Sequence, residues 1–89
     1  MGRDKERLLR DLKQRKHSCT YELAEEALES WGFQPGRAKG HAQVWCYKEL
    51  TLTLHRPHKK HMDPGAVATV IRLIELAEIL QTGRGDDDA

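Results

Sequence analysis

The stretch HAQVWCYKELTLTLH, residues 41–55, alternates apolar and polar side chains on both sides of a central Lys48-Glu49 pair. Successive side chains of a strand point to opposite faces, so a period of two is typical of a half-buried strand. The leucines of the second run then share one face, and the opposite face carries Thr51, Thr53 and His55. Two such runs around a two-residue turn predict an antiparallel β-hairpin.

The first run of this hairpin does not show which of its faces is buried. One side of residues 41–47 is small and apolar and consists of Ala42, Val44 and Cys46. The other side holds Trp45 and Tyr47 together with His41 and Gln43. The alternating context predicts that Cys46 is a packing residue rather than a nucleophile.

Two helices are predicted before the hairpin. Residues 3–16 form a short charged helix whose apolar stripe, Leu8, Leu9 and Leu12, is narrow enough that the helix must dock or fray. Thr20 is a suitable N-cap for a second helix, which we expect to end at Gly32, with Phe33 packing back on its last turn. The glutamates of this second helix fall mostly on its solvated faces.

The segments on either side of the hairpin differ in character. Residues 34–40, QPGRAKG, are a turn or a short first strand interrupted by proline and glycine. After a basic loop, Asp63 caps a last helix in which Pro64 takes the first position, and the helix runs until Gly83.

The last helix carries two apolar stripes where a surface helix needs only one. The first consists of Val67, Val70, Ile71 and Ile74, and the second of Leu73, Leu76 and Leu80. We therefore expect this helix to be covered on more than one side, by the sheet and the leucines of the first helix or by a partner protein.

The order helix, helix, two or three strands, helix predicts an α+β two-layer sandwich in which the helices cover one face of a small antiparallel sheet. At 89 residues the chain is one small domain, over residues 1–83, followed by a disordered acidic tail at 84–89. The other sheet face is then free to meet a ligand.

The net charge of +1 hides a segregated pattern. Residues 36–60 hold six lysines and arginines, namely Arg37, Lys39, Lys48, Arg56, Lys59 and Lys60, but a single acid, Glu49. Such a basic segment in a near-neutral chain indicates a surface that faces a polyanion, although a merely solvated basic face is the alternative.

Several classes of protein are disfavoured by the sequence. Two unrelated cysteines, Cys19 and Cys46, form no disulfide framework, and neither a signal peptide nor a long apolar run is present, which predicts a cytosolic protein with free thiols. The histidines of HRPHKKH (residues 55–61) stand among cations that would repel a divalent metal, so no metal or other cofactor is expected.

Histidine is the side chain best suited to chemistry here, because its ordinary pKa lies near neutrality. Cleavage of RNA without a metal needs a base for the 2′-hydroxyl proton and cations that offset the charge of the phosphorane. His41, with Arg37 and Lys39 just before it and the HRPHKK loop across the hairpin, would supply these groups.

Three short motifs resemble the HicA toxin family, small bacterial ribonucleases of toxin–antitoxin pairs. ALESWGF (residues 27–33) resembles the end of a family helix, and RAKGHAQVW (residues 37–45) resembles the family's basic–basic–Gly–Ser–His strand start. LTLHRPHKKHMDPGAVATVIRLI (residues 52–74) resembles its last strand, basic loop and final helix. Together they span most of the chain in the family's order.

The resemblance implies a double-stranded-RNA-binding-like α-β-β-β-α fold, with residues 1–17 as an added helix and QPGRA as the first strand. It implies metal-independent cleavage of mRNA with His41 as the catalyst and neutralisation by a HicB-like antitoxin. On the endoribonuclease hypothesis, RNA is bound by Arg37, Lys39, Gly40, Arg56, His58, Lys59 and Lys60. A homodimer through the C-terminal helix is possible, and no membrane is involved.

One departure from the family concerns the motif itself, since Gly–Ser–His becomes Gly40-His41-Ala42. When the motif is aligned by counting back from Trp45 without a gap, Ala42 takes the catalytic position. When the alignment includes a one-residue deletion, His41 takes that position instead. An offset of one residue sends a strand side chain to the other face. Three functions therefore stay open: an endoribonuclease, an inactive RNA-binding or regulatory module, and a protein-interaction unit.

Overall fold

The computed structural model describes residues 5–40, 42–57 and 59–82. The elements follow in the order α1 (Lys5–Gln14), α2 (Tyr21–Ser30), β1 (Gln34–Lys39), β2 (Ala42–Tyr47), β3 (Leu50–His55) and α3 (Pro64–Thr82). The three strands form one antiparallel sheet in the order β1-β2-β3. The predicted α+β class, with a small antiparallel sheet under helices, is confirmed.

Local signals in the sequence set the helix ends. The hydroxyl of Thr20 accepts a hydrogen bond from the backbone N–H of Leu23 at 3.2 Å, as expected of an N-cap. Gly32 has a φ of 99°, and the N–H of Phe33 donates to the carbonyl of Leu28 at 2.9 Å, which closes the last turn of α2. At the start of α3 a carboxylate oxygen of Asp63 accepts from the N–H of Gly65 at 3.0 Å.

The sheet has one covered and one open face. Trp45 pairs with Leu52, and Gln43 pairs with Leu54, so these side chains share the face that lies against the helices. Trp45, Leu52 and Leu54 are all buried in the core. The question left open for residues 42–47 is thereby answered: the aromatic side is covered, and the small apolar side is not.

The helices pack as a second layer over that covered face. The predicted stripe of α1, Leu8, Leu9 and Leu12, is buried, so this short helix docks. The indole N–H of Trp31 donates to the carbonyl of Lys5 at 2.9 Å, and a Lys13–Glu75 ion pair at 2.8 Å joins α1 to α3.

One packing prediction is confirmed in part and another is wrong. As expected, α3 contacts both the sheet, at β3, and α1. Leu76 and Leu80 of its second stripe nevertheless remain 40% and 45% exposed, because α1 lies on the opposite flank, beside Glu75. Cys46 is exposed rather than packed, because β2 turns that side of the strand away from the helices.

Candidate functional site

The open face of the sheet presents three cross-strand pairs that join β2 to β3. From one end to the other these are Ala42 with His55, Val44 with Thr53, and Cys46 with Thr51. The β3 members and Cys46 are exposed, and the other two are partly exposed, so no described helix covers this surface. The prediction that Thr51, Thr53 and His55 share the free face is confirmed.

A bulge in β1 shapes one border of this face. The pairing of β1 with β2 shifts between Pro35 and Ala38, so Gly36 and Arg37 lie in the irregular segment. The side-chain amide of Gln43 donates to the carbonyls of Gly36 at 3.1 Å and Arg37 at 3.4 Å. A bulge re-aims side chains locally, and here it presents the exposed Arg37 at the border.

A polar pocket of about 270 Å³ lies at the end of the sheet where β2 begins. Its charged and aromatic wall comes from Tyr21 and Glu25 of α2 and from Arg56 just after β3. The rest of its lining is strand and turn: Ala38, Gly40, Ala42 and Gln43. The chain positions before and after residue 41 therefore both border the pocket.

Arg56 is held in this pocket by an aromatic ring. Its guanidinium carbon lies 4.6 Å from the centre of the Tyr21 ring, a distance at which a cation–π interaction is favourable. Arg56 nevertheless remains exposed. A planar guanidinium that is oriented but accessible is well suited to binding a phosphate with two hydrogen bonds.

Glu25 is the acid of the same pocket. Burial raises the pKa of its carboxyl above the ordinary value, and the positive charge of Arg56 opposes that rise. The pKa of Tyr21 is also raised, first by burial and then by the charge of Glu25. A carboxyl with a raised pKa next to a fixed cation is able to accept or return a proton closer to neutral pH.

The basic loop that follows β3 is anchored at its far end. The N–H of Met62 donates to the carbonyl of Cys19 at 2.8 Å, and the Met62 side chain is buried. Lys59 and Lys60 are exposed on this loop, and Lys59 borders a second pocket with His17 and His61. The anchor holds both cations near the end of the sheet that Arg56 occupies.

The structure brings some predicted site residues together and leaves others apart. Gly40 and Arg56, far apart in the chain, line one pocket, whereas Arg37, Lys59 and Lys60 do not line it. Lys39 lies in β1, where it pairs with Ala42. The predicted residues His41 and His58 lie outside the described residues, as does the tail at 84–89.

Sequence reasoning missed Tyr21 and Glu25 as site residues; Glu25 is partly exposed but lines the pocket rather than facing bulk solvent alone. The available signal was their i, i+4 spacing at the start of α2, which puts both on one side of the first turns. Nothing in the sequence showed that this side meets the end of the sheet.

Neither a metal-binding cluster nor a membrane-spanning helix is found within the described ranges. They contain no group of three histidine, cysteine, aspartate or glutamate side chains that is placed to hold a metal ion. None of the described helices has the length and apolar character needed to cross a bilayer. The thiols of Cys19 and Cys46 are both free, as predicted.

Compared with protein-family models, with curated proteins and with solved structures, the chain has no significant match. The resemblance to the HicA family therefore stays a prediction from three sequence motifs, and the site has to be interpreted from its own geometry.

Proposed function

We propose that this protein binds RNA across the open sheet face and the adjoining polar pocket and cleaves it without a metal. The observation that carries the proposal is the junction of an uncovered sheet with a pocket that contains an oriented Arg56, a Glu25 of raised pKa and the neighbours of His41. The element order α2-β1-β2-β3-α3 is also the α-β-β-β-α order of double-stranded-RNA-binding-like folds. Such folds recognise A-form RNA by shape, phosphates and 2′-hydroxyls.

In the proposed reaction a base removes the proton of an RNA 2′-hydroxyl, and the resulting oxygen attacks the adjacent phosphorus. The bond from phosphorus to the 5′-oxygen breaks, an acid protonates that oxygen, and the products carry a 2′,3′-cyclic phosphate and a 5′-hydroxyl. His41 takes the part of base or acid, and Arg56 stabilises the charge on the phosphorane. Arg37, Lys39, Lys59 and Lys60 bind flanking phosphates, with Gly40 giving close backbone approach and His58 assisting.

The proposal includes a cellular setting that rests on the HicA resemblance. The substrate is mRNA, the protein is a cytoplasmic toxin, and a HicB-like antitoxin neutralises it. Expression of the chain alone in bacteria should then arrest growth, and co-expression of the antitoxin should restore it.

A second candidate function is an RNA-binding module without catalysis. It is favoured by Ala42, which takes the position of the family's histidine in the ungapped comparison and lies on the open face beside the exposed His55. On this hypothesis the surface binds RNA through the same cations but no group replaces the missing imidazole.

The two functions are separated by incubating the purified chain with duplex and single-stranded RNA in EDTA. We expect cleavage that leaves 2′,3′-cyclic phosphate ends, and no cleavage of a strand whose 2′-hydroxyls are replaced by hydrogen. His41→Ala should abolish cleavage while it preserves binding. RNA that is bound but never cut would reject the ribonuclease in favour of the binding module.

Binding itself is tested by the salt dependence of the affinity. Arg56→Gln should weaken RNA binding about tenfold and reduce the salt slope by about one, because one phosphate contact is lost. Lys48→Gln is the matched control, since it removes an exposed cation from the turn at the opposite end of the hairpin. An affinity that does not change with salt would reject both RNA functions.

A further inference from the structure

The two edges of the sheet are unequally protected against pairing with another strand. β1 carries Pro35, Gly36 and a bulge, three features that keep an edge strand from pairing further. β3 is the other edge, and its sequence LTLTLH contains no proline, glycine, lysine or bulge. Among the described residues no further strand pairs with its outer side, so its backbone groups there can pair with an added strand.

A groove of about 290 Å³ runs along this β3 edge. Its lining includes consecutive residues 52–57, whose side chains alternate between the two sheet faces, so the groove meets the strand from the side. The opposite wall includes Ala66 and Thr69 of α3. An added strand would thus lie between the β3 backbone and the first turns of α3.

The same flank of α3 continues as an exposed apolar stripe. An α-helix turns about 100° per residue, so Leu73 and Glu75 lie on opposite sides of the buried Ile74. Glu75 is on the side that contacts α1. We name the Leu73 side the edge flank, and its members are Ala66, Thr69, Leu73, Leu76 and Leu80. Leu76 and Leu80 are among the most exposed large apolar side chains of the described chain.

The edge flank of α3 can be aligned with β3 along the direction of the strand. α3 runs from the His55 end of β3 back to its Leu50 end, because Gln81 donates to the carbonyl of Trp31 beside the ring of Tyr47, the partner of Leu50. From Ala66 to Leu73 the helix advances about 10 Å, which matches about three residues of strand. Because Ala66 and His55 line the same groove, we infer from this spacing that Leu73 lies about level with Leu52, the middle of LTLTL.

We propose that a second copy of this chain occupies the edge, with the two β3 strands paired antiparallel about Leu52 and the two edge flanks packed together. LTLTL reads the same in both directions, so the pairing puts leucine with leucine on the covered face and threonine with threonine on the open face. The flanks are complementary in volume, since Leu80 of each copy meets Ala66 of the other.

Charge also matches in this arrangement. β3 is uncharged between Glu49 at one end and the basic His55-Arg56 pair at the other. An antiparallel pairing about Leu52 brings the acidic end of each copy next to the basic end of its partner. The proposal does not depend on RNA binding, because it rests on the backbone of β3 and the edge flank of α3, although His55 and Arg56 also line the groove.

Sedimentation of the full chain over a range of concentrations tests the proposal, and we expect a reversible dimer. Leu76→Glu with Leu80→Glu should weaken dimerisation by at least about tenfold, because two carboxylates from each copy would be buried between the flanks. The matched control is Ile79→Glu, whose parent side chain is exposed to the same 40% as Leu76 but lies toward the α1 side of the helix. Circular dichroism checks that the variants stay folded.

Amide hydrogen exchange locates the contact. The amides of β3 should become more protected as the concentration rises, while those of β1 should not change. A chain that stays monomeric at every concentration, or a dimer that the double variant leaves intact, overturns the proposal. Protection that appears only when a strand of another protein is added would likewise reject a second copy as the occupant.

Discussion

The two faces of the sheet are built from alternate residues of the same strands and yet have opposite roles. In β3 the covered face holds Leu52 and Leu54 in the core, and the open face holds Thr53 and His55 in solvent. Adjacent residues of β3 therefore have different surroundings, the core on one face and solvent on the other. Changes on the covered face should alter stability, and changes on the open face should alter binding.

The largest expected effect separates Leu54 from Thr53. Leu54→Ala should lower the free energy of unfolding by about 2–5 kcal/mol, because it removes a side chain that is 2% exposed and leaves a cavity under the helices. Thr53→Ala should change it by no more than about 0.5 kcal/mol, because an exposed position has little packing to lose. Urea unfolding followed by tryptophan fluorescence measures both.

Thr53→Ala is the control for Leu54→Ala, because the two residues are adjacent in one strand and differ in the face on which they lie. Equal losses of stability in the two variants would contradict the assignment of faces and would indicate that something covers the open side.

A second, smaller effect distinguishes the two cysteines. Burial raises the pKa of the Cys19 thiol, an effect that Arg15 partly opposes, and its side chain is fully buried. Cys46 is exposed on the open face. Because only an accessible thiolate reacts, Cys46 should react with a thiol reagent at least about a hundredfold faster than Cys19 in the folded protein.

Absorbance of the released thiol product follows this reaction, and Cys46→Ser should remove the fast phase. A bulky group attached at Cys46 should weaken RNA binding without unfolding the chain. Two thiols that react equally fast in the folded state would reject the buried position of Cys19.

The elements of the fold were predictable where local chemistry decides them. Thr20, Gly32 and Asp63 mark helix ends because their short-range hydrogen bonds or backbone angles act within one turn. The hairpin follows from the period of two around Lys48-Glu49. These signals need no knowledge of what packs against them.

The packing of those elements was not predictable, because it depends on partners distant in the chain. Val44 and Trp45 are both apolar, and only the position of the helices decides which is covered. The second stripe of α3 looked like a buried surface, but α1 docks beside Glu75 and leaves Leu76 exposed. Glu25 likewise lines the candidate site because the start of α2 meets Arg56 and the end of the sheet.

The smallest expected effect concerns Glu25, which lies at the border between the two faces. Its pKa is raised by burial, so the folded chain binds a proton more readily than the unfolded chain between the ordinary value of 4.5 and the raised value. As the pH rises through that window, the contribution of Glu25 to the free energy of unfolding therefore falls. Above both pKa values the carboxyl is ionised in both states, and the folded chain bears the full cost of burying that charge. Glu25→Gln, which cannot ionise, should gain stability relative to the parent chain as the pH rises from about 4 to 7.

The other charges around Glu25 determine how this result is interpreted. Arg56 lowers its pKa, while Glu22 and Glu29 raise it. If the attraction to Arg56 exceeded the cost of burial, Glu25→Gln would instead lose stability relative to the parent chain as the pH rises. Thermal unfolding at a series of pH values measures the sign, and Glu49→Gln, a change of an exposed turn carboxylate, provides the control. The expected sign would mean that, for this carboxyl at the end of an otherwise open sheet, the cost of burial exceeds the attraction of Arg56.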